Sequence, residues 1–233
     1  MNGLIQLEST IIGTEDAVAK LGQKQSARLL VISDTHGEYE LLRHIIIEFG
    51  ADVDAFVFCG DGFCDVAALI EEAWENPDLQ EIIPPVIIHV RGNGDGEKYS
   101  VKVPAEDMEE KYRYDDYRTV SRQLSVVAGR NLLVVHGHRH GVDFGTETLS
   151  SSAYTLDADM VLFGHTHRAF WEESDGTLIL NPGSISRPRG GLPPTFAIVS
   201  FSGEIERYSV EYFKIEEGIF NGFSFSPLSL PAN

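Results

Sequence analysis

The chain has 233 residues, 42% hydrophobic and 23% charged, which suits one large α/β domain with a full core and no disulfide or metal staple. Its formal charge of −18 argues against a broad nucleic-acid or anionic-membrane surface, since both require positive charge to displace counterions. The two cysteines, Cys59 and Cys64, fit neither a disulfide framework nor a zinc cluster and read as reduced thiols. No apolar run approaches the roughly 20 residues that span a bilayer, and no basic start leads into an apolar stretch, so a cytoplasmic protein is expected.

The first 27 residues are weakly patterned and read as an N-terminal extension, either an extra helix or a loose segment. Arg28 to Ser33 is a short continuous apolar run, as expected of a strand buried on both faces. Tyr39 to Phe49 has apolar residues at helical spacing and stops at Gly50. Ala55 to Cys59 is a second buried strand, Val66 to Trp74 a second helix, and Val86 to Val90 a third strand. This alternation predicts an α/β fold with a parallel sheet. From 97 to 121 the chain is charged and aromatic without a clean period, and reads as an insertion or lid, partly helical. Gln123 to Ala128 and Asn131 to Val135 form a hairpin pattern around Gly129 and Arg130. Strands are then predicted at Asp159 to Phe163, Arg168 to Trp171, Thr177 to Leu180, Thr195 to Ser200 and Ile205 to Tyr212, enough for a second sheet packed on the first. Residues 221–233 are Phe-, Ser- and Pro-rich and read as an irregular tail.

The chemistry gathers at strand ends. The first strand runs into Asp34-Thr-His36-Gly, the second into Gly60-Asp61-Gly, and the third into Gly92-Asn93-Gly-Asp95. Later strands run into His136-Gly-His138 and Gly164-His165-Thr-His167. Ligands of α/β sheets bind outside the carboxyl ends of the strands, so the five clusters are expected to converge. They bring carboxylates (Asp34, Asp61), an amide (Asn93) and imidazoles (His36, His136, His165, His167) to one place. A mixed N/O set without thiolate suits Mn²⁺, Zn²⁺, Fe or Ni²⁺. Seven donors are too many for one tetrahedral catalytic ion and suit two ions that share a carboxylate. Each fragment alone has a plainer reading: Gly-Asp marks a turn, Gly-Asn-Gly-Asp marks a turn, and a lone Asp-x-His is common. Their ordered conjunction carries the inference.

These motifs resemble the calcineurin-like metallophosphoesterases, which show Asp-x-His, Gly-Asp, Gly-Asn, a His motif and Gly-His-x-His in this order. Val90-Arg-Gly-Asn-Gly-Asp95, Val135-His-Gly-His138, Phe163-Gly-His-Thr-His167 and Leu180-Asn-Pro-Gly-Ser184 resemble the small YfcE-like phosphodiesterase branch. The resemblance runs from about Arg28 to Tyr212 and implies a four-layer αββα sandwich of two mixed sheets flanked by helices, in a single domain over 1–233. It also implies two divalent ions, Mn²⁺ foremost. Asp34, His36, Asp61 and His167 would hold one, and Asp61, Asn93, His136 and His165 the other, with Asp61 bridging. A hydroxide between the ions would attack phosphorus, so a phosphodiesterase, extending to phosphomonoesters, of small substrates is the implied activity.

The chain also departs from the wider family. The histidine that commonly follows Gly-Asn and protonates the leaving group is here Gly94. The implied choices are a leaving group that needs little protonation, such as a phenolate, or help from His138, whose alternative role is to brace a ligand. Asp95 reads as a brace for its loop or for a ligand histidine, and Asn181 to Ser184 as a turn that closes near the site. Arg113, Arg118, Arg187 and Arg189 read as solvated charge or as phosphate contacts, His44 and His89 as packing or surface residues rather than ligands, and His140 as open. Homo-oligomerisation is a further expectation. Two other functions compete. One is a protein-binding scaffold with a vestigial site, like the retromer subunit of this fold, which the intact donor set disfavours. The other is a nuclease, which the negative charge disfavours.

Overall fold

The computed structural model describes residues 3–105, 111–201, 208–218 and 222–230. In chain order the elements are β1 (Ile12–Gly13), α1 (Glu15–Gln23), β2 (Ala27–Ile32), α2 (Tyr39–Phe49), β3 (Ala55–Phe58), α3 (Phe63–Glu75), α4 (Pro77–Ile82), β4 (Val86–His89) and β5 (Lys98–Pro104). Then come β6 (Tyr112–Arg118), β7 (Arg122–Val127), β8 (Arg130–Val135), α5 (Glu147–Leu156), β9 (Met160–Leu162), β10 (Ala169–Ser174), β11 (Thr177–Pro182), β12 (Thr195–Phe201), β13 (Tyr208–Glu217) and β14 (Phe223–Leu228).

Two mixed sheets face each other. The larger has the order β1-β4-β3-β2-β12-β13-β14, and the smaller β10-β11-β9-β8-β7. β2, β3 and β4 run parallel, as do β8, β9 and β11. The alternation of side chains along each strand sorts the apolar residues into layers. Leu30, Ile32, Phe56 and Phe58 point outward under α2 and α3, where they meet Leu42, Ile45, Val66 and Ile70. Leu29, Val31, Val57 and Ile88 point inward and meet Leu132, Val134, Leu162 and Leu180 of the other sheet. Leu133, Val135, Val161 and Ile179 face outward again, under Leu149 and Ala153 of α5. The result is the expected αββα sandwich.

Several expectations are corrected. The N-terminal segment is built into the body: β1 forms the edge of the larger sheet by pairing with β4, and Leu4, Ile11 and Ile12 are buried. Its helix is real, and Thr14 caps it by accepting from Ala17 N at 3.1 Å. The segment 97–121 shows no helix among its described residues. It is a β5–β6 hairpin whose Val101, Val103 and Tyr117 are buried in the core under α3. The tail is not irregular over its described part, since β14 pairs along the whole of its length with β13. Pro227 is tolerated there because the strand lies at the sheet edge. The predicted start of β13 at Ile205 lies outside the described residues. Helices α4 and α5 were not expected.

His89, on β4, is a packing residue as expected, and it is buried. Its Nε2–H donates to Thr10 O at 2.9 Å, which ties the N-terminal loop to the sheet. Burial pushes its pKa down to about 4, against a weaker upward pull from that hydrogen bond. The folded state therefore holds His89 neutral, while the unfolded chain binds a proton near the ordinary value of 6.5. The stabilisation is complete above that value and is lost as pH falls towards 4, a loss of roughly 3 kcal/mol. Urea midpoints of the metal-free protein between pH 7.5 and about 4.5 are expected to fall more steeply for wild type than for His89→Gln. Parallel profiles would remove His89 from the account.

Candidate metal centre

The strand ends bring the loops together because β2, β3, β4, β8 and β9 all finish on one side of the sandwich. Asp34 N donates to Gly60 O at 2.9 Å and His36 N to Asp61 O at 3.2 Å, so the first two loops are joined by backbone. Gly164 N donates to His136 O at 3.0 Å, which joins the last two. The two sheets meet through Asp34, whose Oδ2 accepts from His165 N at 3.1 Å.

The side chains form two groups that share Asp34. In the first, Asp34 Oδ1 lies 3.2 Å from His167 Nε2 and 3.9 Å from His36 Nε2, and those two nitrogens are 3.2 Å apart. In the second, His136 Nε2 lies 4.0 Å from Asp34 Oδ1 and 3.5 Å from Asp61 Oδ2. Within each group the donor atoms lie within 4.8 Å of one another, a spread that one cation spans. Asn93 is exposed on the adjoining loop, whose Gly94 N donates to Asp61 Oδ1 at 2.6 Å. His165 stands edge-on to His136, with ring centroids 5.2 Å apart. His138 lies beside both, 5.4 Å from His136 and 6.1 Å from His165, and belongs to neither group.

Three of the histidines have their outer nitrogen already occupied. His136 Nδ1–H donates to Cys59 O at 2.8 Å, and His167 Nδ1–H to Arg187 O at 2.6 Å. His165 Nε2 meets Asp143 Oδ2 at 3.2 Å. This pattern fixes the tautomer of a metal-binding imidazole and leaves its other nitrogen free for an ion. Asp143 escaped the sequence reading: it lies 22 positions before His165, in a turn that carries no motif.

The chemistry of the group fits a cation. Asp34 Oδ1 and His136 Nε2 are buried and have no hydrogen-bond partner, although leaving such atoms unmade costs about 1–3 kcal/mol each. Burial acts to raise the Asp61 carboxyl, but the His136 imidazole and the Gly94 N–H bring it down to about 2. Burial acts to lower His136 and His167, yet their carboxylate neighbours raise both above the ordinary value. The pocket thus draws positive charge onto its own imidazoles, at the place where an ion would supply it.

The loops are braced from behind. Asp95 accepts from Asp61 N, Gly62 N, Phe63 N and Gly92 N at 2.8–2.9 Å, which ties the Asp61 loop to the Asn93 loop. Buried Asp65 holds Thr35 Oγ1 and Gly37 N. Ser184 Oγ and Ser186 Oγ both donate to Asp34 O, and Asn181 Nδ2 donates to Gly164 O at 2.7 Å, so the Asn-Pro-Gly-Ser turn does close on the site. Arg189 N donates to His167 O at 3.0 Å, whereas Arg113 pairs with Asp115 on the hairpin. His44 stays on α2, bonded to Glu40 O. Cys59 and Cys64 are free thiols. A cavity of about 580 Å³ adjoins the His165–His167 loop, lined by Asp143, Phe163, Thr166, Phe170, Arg189 and Leu192 among others.

Residues 28–204 match the family model described as the calcineurin-like phosphoesterase superfamily domain. The chain is 32% identical over 177 residues to the probable metallophosphoesterase YsnB of Bacillus subtilis, covering 76% of this chain and 85% of that one. It is 29% identical over 164 residues to phosphodiesterase MJ0936 of Methanocaldococcus jannaschii, covering 70% and 87%. Among solved structures, Vacuolar Protein Sorting 29 of Cryptosporidium parvum aligns with a TM-score of 0.59 at 19% identity, covering 88% of this chain and 99% of that one. The chain belongs to the calcineurin-like phosphoesterase superfamily, and its curated relatives are metallophosphoesterases of the YsnB and YfcE type. No helix among the described residues is long and apolar enough to cross a membrane.

Proposed function

We propose that this chain hydrolyses phosphodiesters, and secondarily phosphomonoesters, of small substrates at a centre for two divalent cations. Mn²⁺ is the first choice, and Ni²⁺, Fe and Zn²⁺ also suit the N/O donors. The observation that carries the reading is the pair of donor groups meeting at Asp34, with Asp34 Oδ1 and His136 Nε2 buried and unpartnered. Asp34, His36, Asp61 and His167 would hold one ion, and Asp61, Asn93, His136 and His165 the other. When bound, the ions would supply a water of lowered pKa and neutralise phosphoryl charge.

The chain's own residues set the geometry. Cys59 O, Arg187 O and Asp143 aim the three imidazoles, and Asp95 keeps Asp61 and Asn93 in register. Gly94 offers no proton to the leaving group, and His138 is the imidazole beside the centre that is not assigned to an ion. Substrates whose leaving group departs as a stable anion are therefore favoured. The Vacuolar Protein Sorting 29 likeness keeps a scaffold role as the second reading, but a scaffold has no need of two donor groups sharing one buried carboxylate.

The test is release of p-nitrophenol from bis(p-nitrophenyl) phosphate by the purified protein. Activity is expected with added Mn²⁺ or Ni²⁺ and none after chelation. Failure with every divalent metal would leave the scaffold reading in possession.

A further inference from the structure

Two segments that the reaction does not use meet at one place. The N-terminal segment clasps the β5–β6 hairpin: Gln6 Oε1 accepts from Arg118 N at 2.7 Å, and Gln6 Nε2 donates to Arg118 O at 2.8 Å. Tyr117 Oη donates to Leu4 O, and Thr10 Oγ1 donates to Gln123 Oε1 at 2.8 Å. Arg91 N donates to Val120 O at 2.7 Å, which draws the end of β4 to the same spot. Between them lies an open cleft of about 540 Å³, whose walls include Thr10, Arg91, Glu97, Arg118, Thr119 and Arg122.

The charge of this cleft runs against that of the chain. The protein has 36 acidic and 18 basic side chains, yet here three arginines face one carboxylate. Arg118 and Arg122 are exposed and make no ion pair among the described residues. Arg91 pairs with Glu97 at 2.6 Å, and the Glu97 side chain is 84% exposed. The Arg91 guanidinium, helped more weakly by Arg139, holds the Glu97 carboxyl below its usual range. An exposed ion pair of this kind is weakly held and yields readily to a stronger anion. Guanidinium groups bind phosphate through paired N–H donors, and several around one cleft suit a multiply charged group.

The walls of the cleft are also joined through the backbone to the loops of the candidate metal centre. Arg91 immediately precedes Gly92, which packs against Asp61. Arg122 pairs across the sheet with Val135, the residue before His136. We propose that the Arg91–Arg118–Arg122 cleft binds a second phosphate group of the substrate, one that lies beyond the scissile ester. The proposal rests on the phosphodiesterase reading above and narrows it to substrates with at least two phosphate groups. It also gives the N-terminal segment and the hairpin a shared purpose as the walls of this subsite.

Two measurements test it on the full chain. In the first, inorganic pyrophosphate is titrated into metal-free protein in the presence of EDTA, and backbone amide resonances are followed. Saturable shifts are expected at Arg91, Thr119, Ser121 and Arg122, and their loss in the Arg118→Ala/Arg122→Ala double variant. No saturable shift, or shifts that persist in the variant, overturns the proposal. In the second, the Mn²⁺-loaded enzyme is given thymidine 5′-(p-nitrophenyl phosphate) and the same ester with an added 3′-phosphate. A KM about tenfold lower is expected for the 3′-phosphorylated ester, the worth of one charged hydrogen bond, and the double variant should erase it. Turnover of bis(p-nitrophenyl) phosphate should stay unchanged in the variant. A wild type without the preference, or a variant that retains it, overturns the substrate role. Hydrolysis of neither ester counts against the phosphodiesterase reading, while the titration still decides the cleft.

Discussion

Asp61→Asn is expected to lower kcat/KM on bis(p-nitrophenyl) phosphate by about 10³-fold while the protein stays folded. The clamp that two ions place on a phosphoryl group is worth several kcal/mol, and each 1.36 kcal/mol is about tenfold in rate. Asparagine keeps the shape of Asp61, and its carbonyl oxygen still accepts from Gly94 N, so the loop has little reason to move. What disappears is the negative charge 3.5 Å from His136 Nε2. The same substitution at Asp34 gives a comparison, because Asp34 belongs to both donor groups in the structure while the family resemblance gives the bridge to Asp61. A Mn²⁺ titration by calorimetry separates the two roles. If Asp61 bridges, its variant loses affinity in both binding steps and Asp34→Asn loses it chiefly in one. Urea midpoints of each variant check that the fold survives. Wild-type activity in Asp61→Asn would take the reaction away from these loops.

Gly92→Ala is expected to displace the site although it adds only a methyl group. A Cβ at this position would lie 1.9 Å from Asp61 Oδ1 and 2.4 Å from Asp61 N. Backbone on one side and a proposed ligand on the other leave no flexible atom to yield. Overpacking of this kind costs about 1–3 kcal/mol, and here the relief comes by moving Asp61 itself. The expected outcome is a lower urea midpoint together with activity reduced as far as in Asp61→Asn. Gly94 provides the control two residues on. Its Cβ would stand 3.2 Å from Asp61 Oδ1, and a few tenths of an ångström accommodate it. Near-wild-type stability for Gly92→Ala would mean that the two loops are not held as tightly as the Asp95 hydrogen bonds require.

The candidate site was largely legible because it is written at strand ends, where short buried strands stop abruptly in Asp, His, Asn and Gly. Convergence then follows from the parallel strands alone, without any knowledge of side-chain positions. Tyr39–Phe49 was equally clear, since its apolar spacing and Gly50 agree with the helix found. Other elements were hidden for identifiable reasons. α5 carries Ser150, Ser151 and Ser152 in its middle, residues that compete for backbone hydrogen bonds, and they bond to carbonyls four residues back. β14 has only alternating Phe and Ser with a proline, a pattern that an edge strand accepts and a central one does not. The hairpin does alternate, with Tyr99, Val101 and Val103 on one face, but the charges around them mask the period. Asp143 could not be found from sequence, because its partner His165 is brought to it only by the fold.

Five of the seven proposed donors stand in the left-handed region of backbone space: Asp34 at φ 54°, His36 at 48°, Asp61 at 60°, His165 at 69° and His167 at 58°. Residues with a Cβ hold that conformation at a cost of about 1–2 kcal/mol each, and glycine holds it freely. The fold therefore carries tension at its reactive rim that the sandwich beneath must offset. A descendant that lost those side chains would settle into a more comfortable backbone and keep its layers. In this architecture the loops that carry the proposed donors are held against a backbone cost, and their loss would relieve the chain rather than unfold it.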